Sequence, residues 1–242
     1  MKRNLPAIWL TFGLILIGFH FLQGRKIEAR ETAESIRASA MQAEQNGKHE
    51  VALSKFNEAL KIAEALDPSF HLRLQLDAAR VRIQTGESLE TAESLDSLLD
   101  RDQLKQMPTN LVRETRALSA SAHYYAAYAL RMENAPRDMW LDEIERARQH
   151  FRNLTEAAVR HASETDSEAY GRALELAILL ERSSVYELNS KEIPQPCENA
   201  RRKGIFKKKC DSCDKKNGKQ PDEEKEEKPG KSLRRFDPGQ GS

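Results

Sequence analysis

Residues 46–68 read NGKHEVALSKFNEALKIAEALDP, and the fold turns on how they are read. A glycine between polar residues opens the stretch and Asp67-Pro68 closes it. Between them Ala52, Phe56, Ala59, Leu60, Ala63 and Leu66 recur every three to four positions. That period places them on one face of a helix. Asn46-Gly47 is what a helix ending in a left-handed cap requires. The stretch is therefore the second half of a helical hairpin whose first half lies before Gly47.

The same punctuation continues in both directions. Helices are expected over 27–45, 49–66, 70–84, 88–99, 111–132, 138–160 and 164–188. The breaks fall at Asn46-Gly47, Asp67-Pro68, Thr85-Gly86, Met107-Pro108-Thr109 and Asn134-Ala135-Pro136. No segment alternates with period two, and the breaks are of hairpin length, so the expected fold is all-α, built of antiparallel helix pairs. Composition agrees: 32% of residues are charged, 6% are aromatic, and glycine and proline are sparse before residue 190. Lysine plus arginine (39) nearly cancels aspartate plus glutamate (38), so net charge gives no argument for a nucleic-acid partner.

Aligning Gly47 with Gly86 brings Phe56 onto Leu95, Ala59 onto Leu98, Leu60 onto Leu99 and Ala40 onto Ala79. A small residue before the turn, glycine at it and large apolar residues after it make a unit that must stack on a neighbour to bury both faces. Ala52, Phe56, Ala59 and Pro68 follow one another as in the second helix of a tetratricopeptide repeat. Residues 28–160 resemble that family, with Ala147, Phe151 and Leu154 a looser echo. The spacing of 39 residues exceeds the usual 34, which suggests an extra turn over Ile62–Leu66. The resemblance implies a short α-solenoid that binds other proteins without catalysis. The alternative fold is a non-repetitive helical bundle.

Outside the helical domain, 27–190, two segments differ in kind. Residues 1–26 hold an uncharged run, LPAIWLTFGLILIGFHFLQ over 5–23, long enough to cross a bilayer as a helix. It exceeds the apolar region of a cleaved signal peptide, so it is expected to be an uncleaved signal-anchor transmembrane helix. Lys2 and Arg3 precede the run while Arg25, Lys26 and Arg30 follow it, so basic residues do not orient it cleanly. The expected location is the bacterial inner membrane, with the helical domain on the periplasmic side. Residues 191–242 lose apolar side chains and gain Pro, Gly and blocks of like charge, as a disordered tail does. Within them Arg201–Lys219 carries nine basic residues and two acidic ones, a candidate contact for anionic lipid.

Few residues suggest chemistry. Cys210-Asp211-Ser212-Cys213 with Cys197 offers three thiols for zinc or a redox pair, one ligand short of a closed zinc site. Tyr124 and Tyr128, four residues apart on one helix face, are the candidate partner-binding pair, with core packing as the competing use. His49, His150 and His161 show no acidic or thiol partner at metal spacing, and no nucleophile sits beside a base. The expected function is a membrane-anchored helical-repeat scaffold for protein–protein interaction in the cell envelope, with no cofactor. The alternatives are a thiol-redox or metal-handling protein using Cys197, Cys210 and Cys213, and a helical spacer that presents the charged tail.

Overall fold

The computed structural model describes the backbone of residues 5–206 and the side chains of residues 24–206. All regular secondary structure among them is helical: α1 (Leu5–Gln45), α2 (His49–Ala63), α3 (Pro68–Gln84), α4 (Ser88–Leu99), α5 (Asp102–Lys105), α6 (Thr109–Met132), α7 (Arg137–Arg160), α8 (Glu164–Arg182), α9 (Val185–Asn189) and α10 (Gln195–Arg202). Successive long helices pack in pairs, α1 on α2, α2 on α3, α4 on α6, α6 on α7 and α7 on α8. Packed helices joined by short turns, as α1 and α2, α2 and α3, α6 and α7, and α7 and α8 are, run antiparallel.

Four of the turns are the same device. Gly47, Gly86, Asn134 and Ala162 all have positive φ. In each case this residue donates its N–H to the carbonyl three residues back, and the next residue donates to the carbonyl five back. The pairs are Gly47 to Glu44 with Lys48 to Ala43, Gly86 to Ile83 with Glu87 to Arg82, Asn134 to Arg131 with Ala135 to Leu130, and Ala162 to Val159 with Ser163 to Ala158. This satisfies carbonyls that a helix end otherwise leaves open. Asn and Ala thus fill the position in the later hairpins that glycine fills in the first two.

The core is layered along the chain. One apolar cluster joins Ala40, Ala52, Phe56 and Ala59 of α1 and α2 to Leu74, Ala78 and Val81 of α3. A second joins Leu72, Leu76 and Ala79 on the other side of α3 to Leu95, Leu104 and Leu111. The helix α3 is therefore buried on two faces, which is how a hairpin shares its core with the next one. A third cluster holds α6 to α7 and α8 through Leu130, Ile144, Ala147, Phe151, Leu154, Ala177 and Leu180. There the buried Arg131 lies over the Trp140 ring at 4.4 Å and donates to the carbonyls of Leu180 and Ser183, closing the end of α8.

Several boundaries differ from expectation, each for a local reason. The helix α2 ends at Ala63 and not Leu66, because Asp67 must be extended to cap α3, where its carboxylate accepts from the Phe70 N–H at 3.0 Å. The supposed extra turn is therefore a connecting turn, with Leu66 N–H bonded to Ala63. The helix expected over 164–188 divides at Ser183, and Ser184 with Glu187 forms a capping box that starts α9. The helix expected to begin at Ile27 is continuous with residues 5–26, since no proline or cap interrupts Gln23–Ile27. Among the described residues no helix is long and apolar enough to cross a membrane. The run at 5–23, on which the anchor expectation rests, lies outside the residues whose side chains are described.

The largest correction concerns the expected tail. Residues 195–202 form α10, and Cys197, Ala200 and Ile205 are buried against α6 and its surroundings. Asn199 donates to the Gln84 carbonyl at 2.6 Å, and Glu133 accepts the N–H groups of Ile205 and Phe206 at 3.2 and 3.0 Å. Cys197 and Ala200, one turn apart on α10, and Ile205 just beyond its end suffice to dock a segment whose composition is otherwise polar. The rest of the expected tail, from residue 207, lies outside the described residues.

Docking of α10 gives Gly86 a second role. A Cβ there would lie 2.4 Å from Ala200 N and Asn199 C, whereas a Cβ at Gly47 meets nothing within 4 Å. Both have positive φ, so Gly47→Ala carries only backbone strain, about 1 kcal/mol. Gly86→Ala adds overpacking and is expected to cost roughly 2–3 kcal/mol. Urea unfolding of the two variants checks the difference; equal losses would mean that α10 does not press on this turn.

Candidate functional site

The densest polar cluster in the described residues lies where α4, α6 and α7 meet. Asp96 sits on α4 next to the buried Leu95. Ser119 and His123 lie one turn apart on α6. Glu143, Arg146 and His150 form a polar stripe on α7, beside the apolar stripe of Ile144, Ala147, Phe151 and Leu154. The period of a helix keeps each stripe on a single face. Packing the apolar stripe against α6 therefore carries the polar one to the edge of the same interface.

At that edge His123 is buried at 1% exposure, between two carboxylates. Its Nδ1 lies 2.6 Å from Glu143 Oε2 and its Nε2 lies 2.9 Å from Asp96 Oδ2. Asp96 also accepts from Ser119 Oγ at 2.6 Å, and has His150 Nε2 at 3.3 Å and Arg146 Nη1 at 3.4 Å. The two imidazole rings are nearly parallel, with centroids 6.0 Å apart. The Nδ1 of His150 is buried and has no hydrogen-bond partner.

Electrostatics follow from this geometry. Burial alone pushes the Asp96 carboxyl up, but hydrogen bonds from His123, His150 and Ser119 outweigh it and hold the group well below the usual carboxylate range. For His123 burial favours the neutral ring, and its hydrogen bonds and charge interactions with Asp96 and Glu143 reverse that, raising its pKa. The cluster can therefore hold a proton on His123. One ligand atom each from Asp96, His123 and His150 also lies within 4.8 Å of the others, close enough to converge on a metal ion.

Reading each helix by itself misses this site. The carboxylate beside His150 is Asp96, which reaches it from a different helix. The usable signal is the spacing of Glu143, Arg146 and His150 at i, i+3 and i+7, immediately beside an apolar stripe of the same period. A polar triplet in that position is carried into a helix–helix seam.

The residues expected to be functional are distributed otherwise. Tyr128 is buried, its hydroxyl 3.5 Å from the Leu188 carbonyl, and Tyr124 is half-buried against Tyr125 and Tyr128. Tyr128 thus packs in the interior under α9, while Tyr124 lies half-buried near Cys197 of α10. Cys197 is buried with its Sγ beside the Tyr125 carbonyl, and burial pushes its thiol up, away from the reactive thiolate. Cys210 and Cys213 lie outside the described residues, as does the basic block beyond Phe206. Of its first three cations, Arg201 and Arg202 pair with Glu198 and Lys203 with Glu87.

A second surface feature lies on α8. Ala177 and Leu180 face α7, while Leu176 and Leu179 are half exposed on the outer side, followed by Tyr186 at 83% exposure. Comparison of the chain with protein-family models, curated proteins and solved structures finds no match.

Proposed function

We propose that this chain is a membrane-anchored helical-repeat scaffold that binds other proteins at the bacterial cell envelope, with no catalytic step of its own. The observation that carries the reading is the open side of α8. In a stack of hairpins each helix pair covers its neighbour's apolar face. Here α8 packs chiefly on α7 and leaves Leu176 and Leu179 uncovered, with Glu175 and Arg182 as a charged rim. Such a face suits the apolar stripe of an amphipathic helix from a partner protein. The repeated cap at Gly47, Gly86, Asn134 and Ala162, and the double burial of α3, support a tetratricopeptide-like stack.

The anchor rests on the uncharged run at 5–23, about 30 Å as a helix. Because α1 continues unbroken to Gln45, an anchored chain would hold its first hairpin close to the bilayer. Tethering raises the local concentration of partners at the same membrane, so modest affinity suffices. The periplasmic side is the proposed location of the stack.

The test is photo-crosslinking in cells from position 176 or 179 of the full chain, with position 58 on the exposed side of α2 as control. A discrete adduct with another protein is expected from α8 alone; Leu179→Glu should abolish the adduct from position 176, and Leu176→Glu the one from position 179, without lowering the melting temperature. Identical background from all three positions would overturn the reading. Protease access in intact and lysed cells decides the side of the membrane.

A further inference from the structure

We infer that Asp96, His123 and His150 form a binding site for a divalent transition-metal ion of the zinc class, with Glu143 orienting His123 from behind. Three helices each contribute one ligand: Asp96 from α4, His123 from α6 and His150 from α7. Both imidazoles aim Nε2 at the same carboxylate, at 2.9 and 3.3 Å. Metal–ligand bonds of about 2.0–2.1 Å in tetrahedral geometry hold neighbouring donor atoms roughly 3.3 Å apart, so the three groups need to move little to admit an ion. Two imidazoles and one carboxylate select zinc, cobalt or nickel over magnesium or calcium, which prefer an all-oxygen shell.

Glu143 supplies what such a site needs outside the ligands. Its Oε2 lies 2.6 Å from His123 Nδ1, the nitrogen away from Asp96. A carboxylate there fixes the tautomer that presents the Nε2 lone pair, and makes that nitrogen a better donor. The buried alternative is a proton on His123 Nε2, so metal entry displaces that proton and is competitive with it. Arg146 is the opposing charge at 3.4 Å from Asp96. It is half exposed and already reaches Asp142 at 3.3 Å, so it has a partner to move to. With three protein ligands, the ion keeps at least one position for water or for a group from a partner. Asp96 and His150 are only partly buried, which leaves a route to that position. Bound there, the ion links α4, α6 and α7.

Cobalt(II) is the probe, added to the chelator-treated full chain in detergent and read by its visible d–d absorption. The chain is expected to bind one cobalt in a nitrogen–oxygen site that persists in Cys210→Ser with Cys213→Ser. Thiolate charge-transfer absorption reports any binding at those cysteines separately. His150→Ala, at the less buried of the two histidines, should lose the nitrogen–oxygen site while the metal-free melting temperature stays near that of the parent. Glu143→Gln should weaken cobalt binding by about 10–100-fold. A hundredfold excess of cobalt over Kd should raise the melting temperature by roughly 5–10 °C in the parent and not in His150→Ala. If cobalt shows thiolate absorption alone, or binds His150→Ala as it binds the parent, the assignment is wrong.

Discussion

His123→Leu lowers the stability of the metal-free chain by about 3–5 kcal/mol, a fall of roughly 10 °C or more in melting temperature. The ring is 1% exposed, and Glu143 and Asp96 stand at 2.6 and 2.9 Å on its two sides. Removing one member of a buried ionic set costs far more than the set contributed, because the carboxylates keep their desolvation and lose the cation that offset it. Asp96 keeps Ser119, His150 and Arg146, and the charge of Arg146 also acts on Glu143, but both carboxylates lose the ring that stood between them. Replacing both residues, His123→Leu with Glu143→Leu, should therefore recover part of the loss rather than add to it. Urea unfolding of a 24–206 fragment in chelator, followed by circular dichroism, measures all three. A loss below 1 kcal/mol in the single variant would show that His123 is not held between the two carboxylates.

The same pairs fix the sign of a pH dependence in the metal-free protein. His123 has a raised pKa when folded, so its contribution is complete below the unfolded value of about 6.5 and fades as pH rises through the folded one. Asp96 has a lowered pKa, so its contribution is complete above about 3.9 and fades only as pH falls through the folded value. Both act fully between these limits, where the parent should exceed His123→Leu by the widest margin. Glu143, Arg146 and His150 on α7, Asp96 on α4 and Ser119 on α6 are the groups around the ring.

How much of this was legible follows from the range of each interaction. The long helices were, because Ala52, Phe56 and Ala59 mark a buried face by their period, and Gly47 and Gly86 mark the ends of α1 and α3, each signal being local in the chain. The end of α2 was not, because it is set by the cap that Asp67 makes for α3 and not by the apolar stripe that runs on to Leu66. The polar cluster is less legible still. Asp96, His123 and His150 lie up to 54 positions apart, and only the packing of three helices brings them together. The spacing of Tyr124 and Tyr128 gives them a shared face, but that α9 meets Tyr128 there depends on a segment 60 residues away. Composition judged residues 191–206 as polar tail, yet Cys197, Ala200 and Ile205 are enough to seat them.

That last segment supports the second large effect: a chain ending at Ser190 should be about 3–5 kcal/mol less stable than one ending at Phe206. Docking of α10 removes Cys197, Ala200 and Ile205 from water together with the side chains they cover, including parts of Tyr124 and Tyr125. Burying one Ile or Leu contributes about 1.5–3 kcal/mol, and both sides of this contact add to it; ordering the segment offsets part. The shorter chain also removes Asn199 from the Gln84 carbonyl and two N–H donors from Glu133. Gly86 supplies an internal check. Its close approach to Asn199 and Ala200 exists only while α10 is docked, whereas its positive φ belongs to the turn. In the chain ending at Phe206, Gly86→Ala should cost roughly 2–3 kcal/mol, and in the chain ending at Ser190 only about 1. The difference is a coupling energy between the turn and α10, measured by a four-variant cycle of unfolding free energies. If the two losses are equal and the truncation is silent, α10 is not seated on the stack in solution, and residues 195–206 belong with the chain that follows them.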